Sequence, residues 1–161
     1  MMSALTKKID FIGFITVERS NPNGDPLNGN QPRTDYGGYG EISDVCLKRK
    51  LRNRLQDAGE KILVQSNERA DDGCDSIRSR VEANPAMEKP LKMKDKEEGR
   101  TRIFAEEACK AWMDVRAFGQ VFAFKKKKRG KSAEADSESD GTDAVSVGVR
   151  GPVTIHTAVS L

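Results

Sequence analysis

The order of elements in this sequence predicts a layered α/β or α+β fold. Three stretches carry the prediction. Residues 9–18 (IDFIGFITVE) are rich in β-formers. Residues 44–57 repeat leucine at helical spacing, and residues 61–65 (KILVQ) return as a short strand. A strand, a helix and a strand in that order pack as two layers around one core.

In 9–18, Phe11, Ile12, Phe14, Ile15 and Val17 occupy both parities, the pattern of a strand buried on both faces. The loop at 19–42 is long for a connection inside a compact domain, and such loops tend to be functional or disordered. Pro22, Pro26 and Pro32 argue against regular structure along it. Ser43 suits the N-cap of the helix at 44–57, and Asp44 suits the positive end of its dipole. Leu47, Leu51 and Leu55 form a narrow apolar stripe. Lys48 and Arg52 border one side of it and Lys50 and Arg54 the other, with Arg49 and Asn53 near the back. Gly59 suits the position just past the helix.

Residues 66–100 are polar and broken at Asn84-Pro85 and Lys89-Pro90, an excursion with a short helix near 74–82. A second helix is expected over 103–113, with Phe104, Ala108 and Met113 inward and Trp112 beside them. Residues 115–124 (VRAFGQVFAF) read as a strand whose central Gly119 marks a bulge or a close backbone approach. Residues 144–158 alternate as its partner, so the two form a hairpin. The tip, 125–143, carries six positive charges and then five negative ones. That composition cannot bury enough apolar surface to order itself. The apolar strand running to Leu161 without a polar tail has the look of a truncated chain.

At 161 residues the chain suits one domain. Charged residues at 33% against 36% hydrophobic imply one modest core with long polar excursions. The net charge of +3 is small, but positive charge concentrates at 48–54 and 125–131. No secretory h-region and no membrane-length apolar run is visible. Cys46, Cys74 and Cys109 lack any C-x-x-C spacing, so a cytoplasmic, reducing setting is expected, without a disulfide framework or zinc site.

The stretch from Arg19 to Ala58 points to phosphate. A loop rich in Gly, Asn and Pro leads through Tyr36-Gly37-Gly38-Tyr39-Gly40 into a helix carrying Lys48, Arg49, Lys50, Arg52 and Arg54. Glycine lets backbone approach a ligand, and a helix N-terminus offers N–H groups to an anion. The ordinary alternative is a solvated helix face. Tyr36, Tyr39 and Phe118 beside these cations suit base stacking, although core packing explains Phe118 better. The Lys125–Arg129 run reads as a loop tip with non-specific attraction for nucleic acid. His156 is the only histidine, and no nucleophile elbow, P-loop or dinucleotide fingerprint occurs. Asp25, Asp35 and Asp44 offer a conceivable Mg²⁺ set, but turn and cap roles account for them. Neither a metal nor a cofactor is expected.

The blocks FIGFITVERSNPNGDPLNGNQPRTD, GYGEISDVCLKRKLRN, DVRAFGQVFAF and SVGVRGPVTI, in that order, resemble the backbone subunit of the type I-C CRISPR interference complex (Cascade). That family belongs to the repeat-associated mysterious protein superfamily, and type I-B relatives share its motifs. The resemblance implies an α+β fold, a single RNA-recognition-motif-like (ferredoxin-like) palm with insertions, here incomplete because family members run well past residue 161. It implies copies polymerised along one CRISPR RNA beside other Cascade subunits, with target DNA read through the guide. The positions matching the family's RNA-holding helix are Lys48, Arg49 and Arg52. Asn23, Arg33 and Tyr36 lie in the matching loop, and Gly119, Gln120 and Arg150 in the matching strands. The implied activity is binding without catalysis. The rival is a metal-dependent RNA endonuclease using Asp25 or Asp35, as some type III relatives cut RNA with a loop aspartate. The stretch 125–143 is longer than the family's usual hairpin tip.

Overall fold

The computed structural model describes residues 6–93, 98–124 and 145–161. The charged stretch expected at 125–143 lies outside them. The class is α+β, as expected: helices alternate with small antiparallel sheets. The chain divides into two compact units, Met1–Ser43 with Thr157–Leu161, and Asp44–His156.

The first unit is held by short ladders. Strands β1 (Gly24–Asp25) and β2 (Gln31–Pro32) pair antiparallel, with Gly24 opposite Pro32. A 3₁₀ turn at Pro26–Asn28 joins them. Pro26 stands where no N–H is needed, and the Asp25 carboxylate accepts the Leu27 amide at 3.0 Å. The prolines of this loop therefore shape a ladder rather than exclude one. Strand β3 (Glu41–Ile42) pairs antiparallel with β6 (Ala158–Val159).

The strand expected at 9–18 is not formed. These residues carry no regular structure and are exposed, Ile12 and Phe14 by more than four-fifths. A two-sided apolar strand needs neighbours on its edges and cover on both faces. No strand among the described residues runs beside 9–18, and its side chains stay exposed, so the segment has neither.

In the second unit, α1 (Asp44–Asp57) has the expected bounds, and Gly59, in the left-handed region, follows it. The expected short helix is α2 (Ile77–Ala83), started by a reciprocal cap between Ser76 and Ser79. Then follow α3 (Glu88–Lys92) and α4 (Arg100–Ala111). Helix α4 begins before the expected 103 and breaks at Trp112, whose extended backbone opens α5 (Met113–Phe118). Residues 115–118 are thus helical rather than the start of a strand. Strand β4 (Gly119–Phe124) begins only at the glycine and pairs with β5 (Val145–Arg150), from Gly119 opposite Arg150 to Phe124 opposite Val145. The hairpin holds, but its second strand stops at Arg150; the backbone then passes to β6, which pairs with β3.

Phe122, Val145 and Val147 share the inward face of this hairpin. Phe104 and Ala108 of α4 meet them, and the Phe104 and Phe122 rings stand edge to face at 4.9 Å. Trp112 and Val115 close one side. Val81 and Met87 complete the cluster, so the 66–100 excursion supplies part of the core despite its polar composition.

The stretch at 61–65 is no strand either. Ile62 and Leu63 are buried, yet no neighbouring strand runs beside them. Side chains satisfy their backbone instead. The Asp114 carboxylate accepts the Leu63 amide at 2.8 Å and the Val64 amide at 3.1 Å. The Leu63 carbonyl accepts from Arg80 Nη1 at 2.9 Å, and the Val64 carbonyl from Arg49 Nη1 at 2.6 Å. Gln65 Nε2 reaches the Ile62 carbonyl at 3.0 Å, and the Met113 amide reaches Lys61 O at 2.9 Å. Buried backbone must find partners, and here helices α1, α2 and α5 provide most of them.

Three outcomes follow for stability. Asp114→Ala strands the buried Leu63 amide, the partly buried Val64 amide and the Arg52 guanidinium, and is expected to cost about 3–5 kcal/mol in thermal or urea unfolding, with Asp114→Asn costing less. Gly119→Ala is expected to cost more than about 1 kcal/mol, since φ is +78° and a Cβ would stand 2.4 Å from Val149 O. The hydrogen bonds from Arg80 hold the Asp72 carboxyl below its ordinary value of 3.8. A depressed folded pKa gives stability that is present above the unfolded value and lost as pH falls through the folded one. The urea midpoint of Asp72→Asn should therefore lie below that of the parent at pH 7, with the gap closing towards pH 3.

Candidate nucleic-acid interface

Helix α1 carries its cations in two conditions. Arg49 and Arg52 turn towards the protein, and no residue of the helix is fully buried. Arg52 Nε donates to Asp114 Oδ2 at 2.9 Å, and its guanidinium carbon lies 5.2 Å from the centre of the Phe118 ring. Burial pulls the Arg49 guanidinium below its ordinary value, the nearby Arg52 charge adds to this, and Asp114 opposes both. The other cations are looser. Lys48 makes an i,i+4 pair with Asp44 at 3.0 Å, which holds the Asp44 carboxyl below its usual range. Lys50 and Arg54 are exposed. Leu51, in the middle of the expected stripe, is 41% exposed. The side placed at the back of the helix by leucine spacing is thus the one bonded to 61–64.

Gly119, Gln120 and Arg150 lie where α5 meets the hairpin, and Arg52 reaches the Phe118 ring beside them in sequence. Arg52 covers Phe118, the residue before Gly119, and Gly119 faces Arg150 across the ladder. The glycine is required there: the Gly119 and Gly151 backbones approach so closely that a Cβ on Gly151 would stand 2.2 Å from Ala117 O. Arg150 is exposed. Gln120 Nε2 donates to Val121 O at 3.0 Å.

Asn23, Arg33 and Tyr36 belong to the other unit. Asn23 Oδ1 accepts from both the amide and the hydroxyl of Ser43 at 2.9 Å, so this side chain fixes the end of the loop. Arg33 Nε donates to Glu41 Oε1 at 2.6 Å, and that bond raises the guanidinium further above its ordinary value. Asp35 Oδ1 accepts the amides of Gly37 and Tyr39 at 2.8 and 3.0 Å and builds the glycine turn. Tyr36 stands fully exposed on that turn.

Asp114 and Arg80 are the residues that sequence reasoning missed. Neither has a periodic signature, since the segment they satisfy looks like a strand in sequence. The one available signal was an acidic residue in the first turn of a helix after an aromatic break. Among the described residues, no group of three or more His, Cys, Asp or Glu side chains is placed to hold a metal ion, and no helix is long and apolar enough to cross a membrane.

The family model described as CRISPR-associated protein Cas7 matches residues 7–161. A protein of Haloferax volcanii named CRISPR-associated protein Cas7 is 53% identical over 49 residues, which are 30% of this chain and 14% of that relative's length. The family match takes in both compact units, the glycine turn, α1 and the hairpin, and on its extent the chain belongs to the CRISPR-associated protein Cas7 family.

Proposed function

We propose that this chain is a non-catalytic, CRISPR RNA-binding backbone subunit of a Cascade complex of the type I-C kind, acting in the cytoplasm in antiviral defence. Copies polymerise along the guide RNA beside other Cascade subunits, and target DNA is read through the guide. The observation that carries this reading is the family match across residues 7–161. The four motif blocks quoted above favour the type I-C subtype.

The geometry supports a division of labour among the cations. Lys48 and Arg150 are free of the Asp114 network and suit phosphate contacts. Arg52 combines phosphate binding with holding the fold, and Arg49 stays on Val64 O. Tyr36 offers a stacking face on a turn already ordered by Asp35. Binding is favoured over cleavage because Asp25 and Asp35 spend carboxylate oxygens on backbone amides of their own turns.

Fluorescence anisotropy with a single-stranded CRISPR-type RNA tests the reading. Lys48→Gln with Arg150→Gln should weaken binding about tenfold and reduce the salt slope by roughly one to two, with a nearly unchanged thermal melt. Equal affinity and slope would remove these cations from the interface. Incubation with complementary RNA and Mg²⁺ should yield no cut products, and cleavage that Asp25→Asn or Asp35→Asn abolishes would favour the endonuclease.

A further inference from the structure

Asp114 sits in the first turn of α5, and its side chain is completely enclosed. Its carboxylate is held independently of Arg52. Oδ1 accepts the Leu63 amide at 2.8 Å and Oδ2 the Val64 amide at 3.1 Å, both from one peptide segment. Arg52 Nε then donates to Oδ2 at 2.9 Å. Phe118 lies about one helical turn after Asp114 on the same side of α5, and its ring centre is 5.2 Å from the guanidinium carbon. An edge bond and a face contact from a single short helix thus define the plane of the guanidinium. A planar, delocalised head can use both contacts; the Lys ammonium is a point charge on a flexible stem and has no plane to fix.

We infer, building on the RNA-binding reading above, that Asp114 is a positioning residue for RNA: it holds Arg52 so that the terminal N–H groups of the guanidinium meet a phosphate in a preset orientation. Asp114 has no surface of its own to offer a strand, so any effect it has on RNA runs through Arg52. The neighbouring cations of α1 are held differently. Arg49 is spent on the Val64 carbonyl, and Lys48 has an Asp44 partner on its own helix. A long side chain left free gives up rotamer freedom when it meets an anion, whereas one already fixed at edge and face gives up little. The sign of the effect is diagnostic. A carboxylate near a phosphate strand repels it, so charge alone makes neutralising Asp114 strengthen binding. Positioning makes the same substitution weaken binding, because the loss of an oriented donor opposes the loss of repulsion.

Anisotropy with the same single-stranded CRISPR-type RNA, read below the thermal transition of every variant, separates the two. Asp114→Asn should weaken binding about fivefold, the cost of immobilising one long side chain. Arg52→Gln should weaken it at least as much, and Asp114→Asn should change nothing further in the Arg52→Gln background. A role confined to the fold would instead lower affinity in both backgrounds. Arg52→Lys keeps the charge and should bind no better than Arg52→Gln. A second measurement needs no substitution. In proton–nitrogen correlation spectra of the parent chain, the Arg52 Nε–H should stay protected from solvent exchange with and without RNA, while its Nη signals shift when RNA is added. Asp114→Asn binding as tightly as the parent or more tightly, an additive cycle, or an Nε–H that loses protection on RNA binding would each overturn the positioning role alone. No RNA binding by the parent, or parent-like binding by Arg52→Gln, would remove the RNA contact of Arg52 itself and the positioning role with it.

Discussion

A single buried carboxylate organises the unit Asp44–His156. Asp114 is fully buried, and its two oxygens receive the amides of Leu63 and Val64 and the guanidinium of Arg52. Burying an ionised carboxylate alone is prohibitively costly; three donors, one of them cationic, make it tenable. In return the segment at 61–64 can sit inside the core without a strand beside it. Arg49 and Arg80 complete the arrangement by covering the carbonyls that Asp114 cannot. Charged side chains therefore perform the work a sheet would perform elsewhere, and α1, α2 and α5 are fixed relative to one peptide segment.

This constraint explains which parts were legible in the sequence. Helix α1 was legible because cap, dipole, leucine spacing and terminal glycine agree over Asp44–Asp57. The β4–β5 hairpin was legible because its alternation survives on both strands. Segment 61–65 was not, because an apolar run of that length looks the same whether strands or side chains satisfy its backbone. The α5 turn was hidden for a related reason: Val115 and Phe118 suit a strand, and only the left-handed Gly119 decides where the ladder begins. Residues 9–18 failed differently, since their pattern describes what they need as neighbours rather than what the described residues supply.

The candidate site was legible by residue type and less so by geometry. Counting cations on α1 located a basic surface, but helical periodicity alone put Arg49 at the back of the leucine stripe, away from protein. The structure binds that back to the Val64 carbonyl and leaves Leu51 partly open. Apolar spacing ranks faces by hydrophobicity, whereas a buried carboxylate and two unpaired carbonyls draw arginines inward more strongly than a leucine stripe is drawn. In the loop, Asn23 and Arg33 are RNA positions only by the family resemblance, and both side chains have partners within their own unit.

Magnitudes then separate the cations that a phosphate strand can recruit from those it cannot. Solvent-accessible pairs such as Lys48–Asp44 and Arg33–Glu41 contribute little, because water screens them and two long side chains must be held in one geometry. A phosphate that releases counterions on binding can displace Asp44 or Glu41 with little loss. Withdrawing Arg52 from Asp114 would expose a buried charge, a penalty of about 3–5 kcal/mol that a single phosphate contact does not recover. On the proposed reading Arg52 must therefore serve RNA from where it stands. Its Nε and one ring face are committed to Asp114 and Phe118, which fixes the plane of the guanidinium and lowers the entropy lost when its remaining N–H groups meet an anion. The interaction that holds the core together is thus also the one that would orient the least mobile cation of the interface.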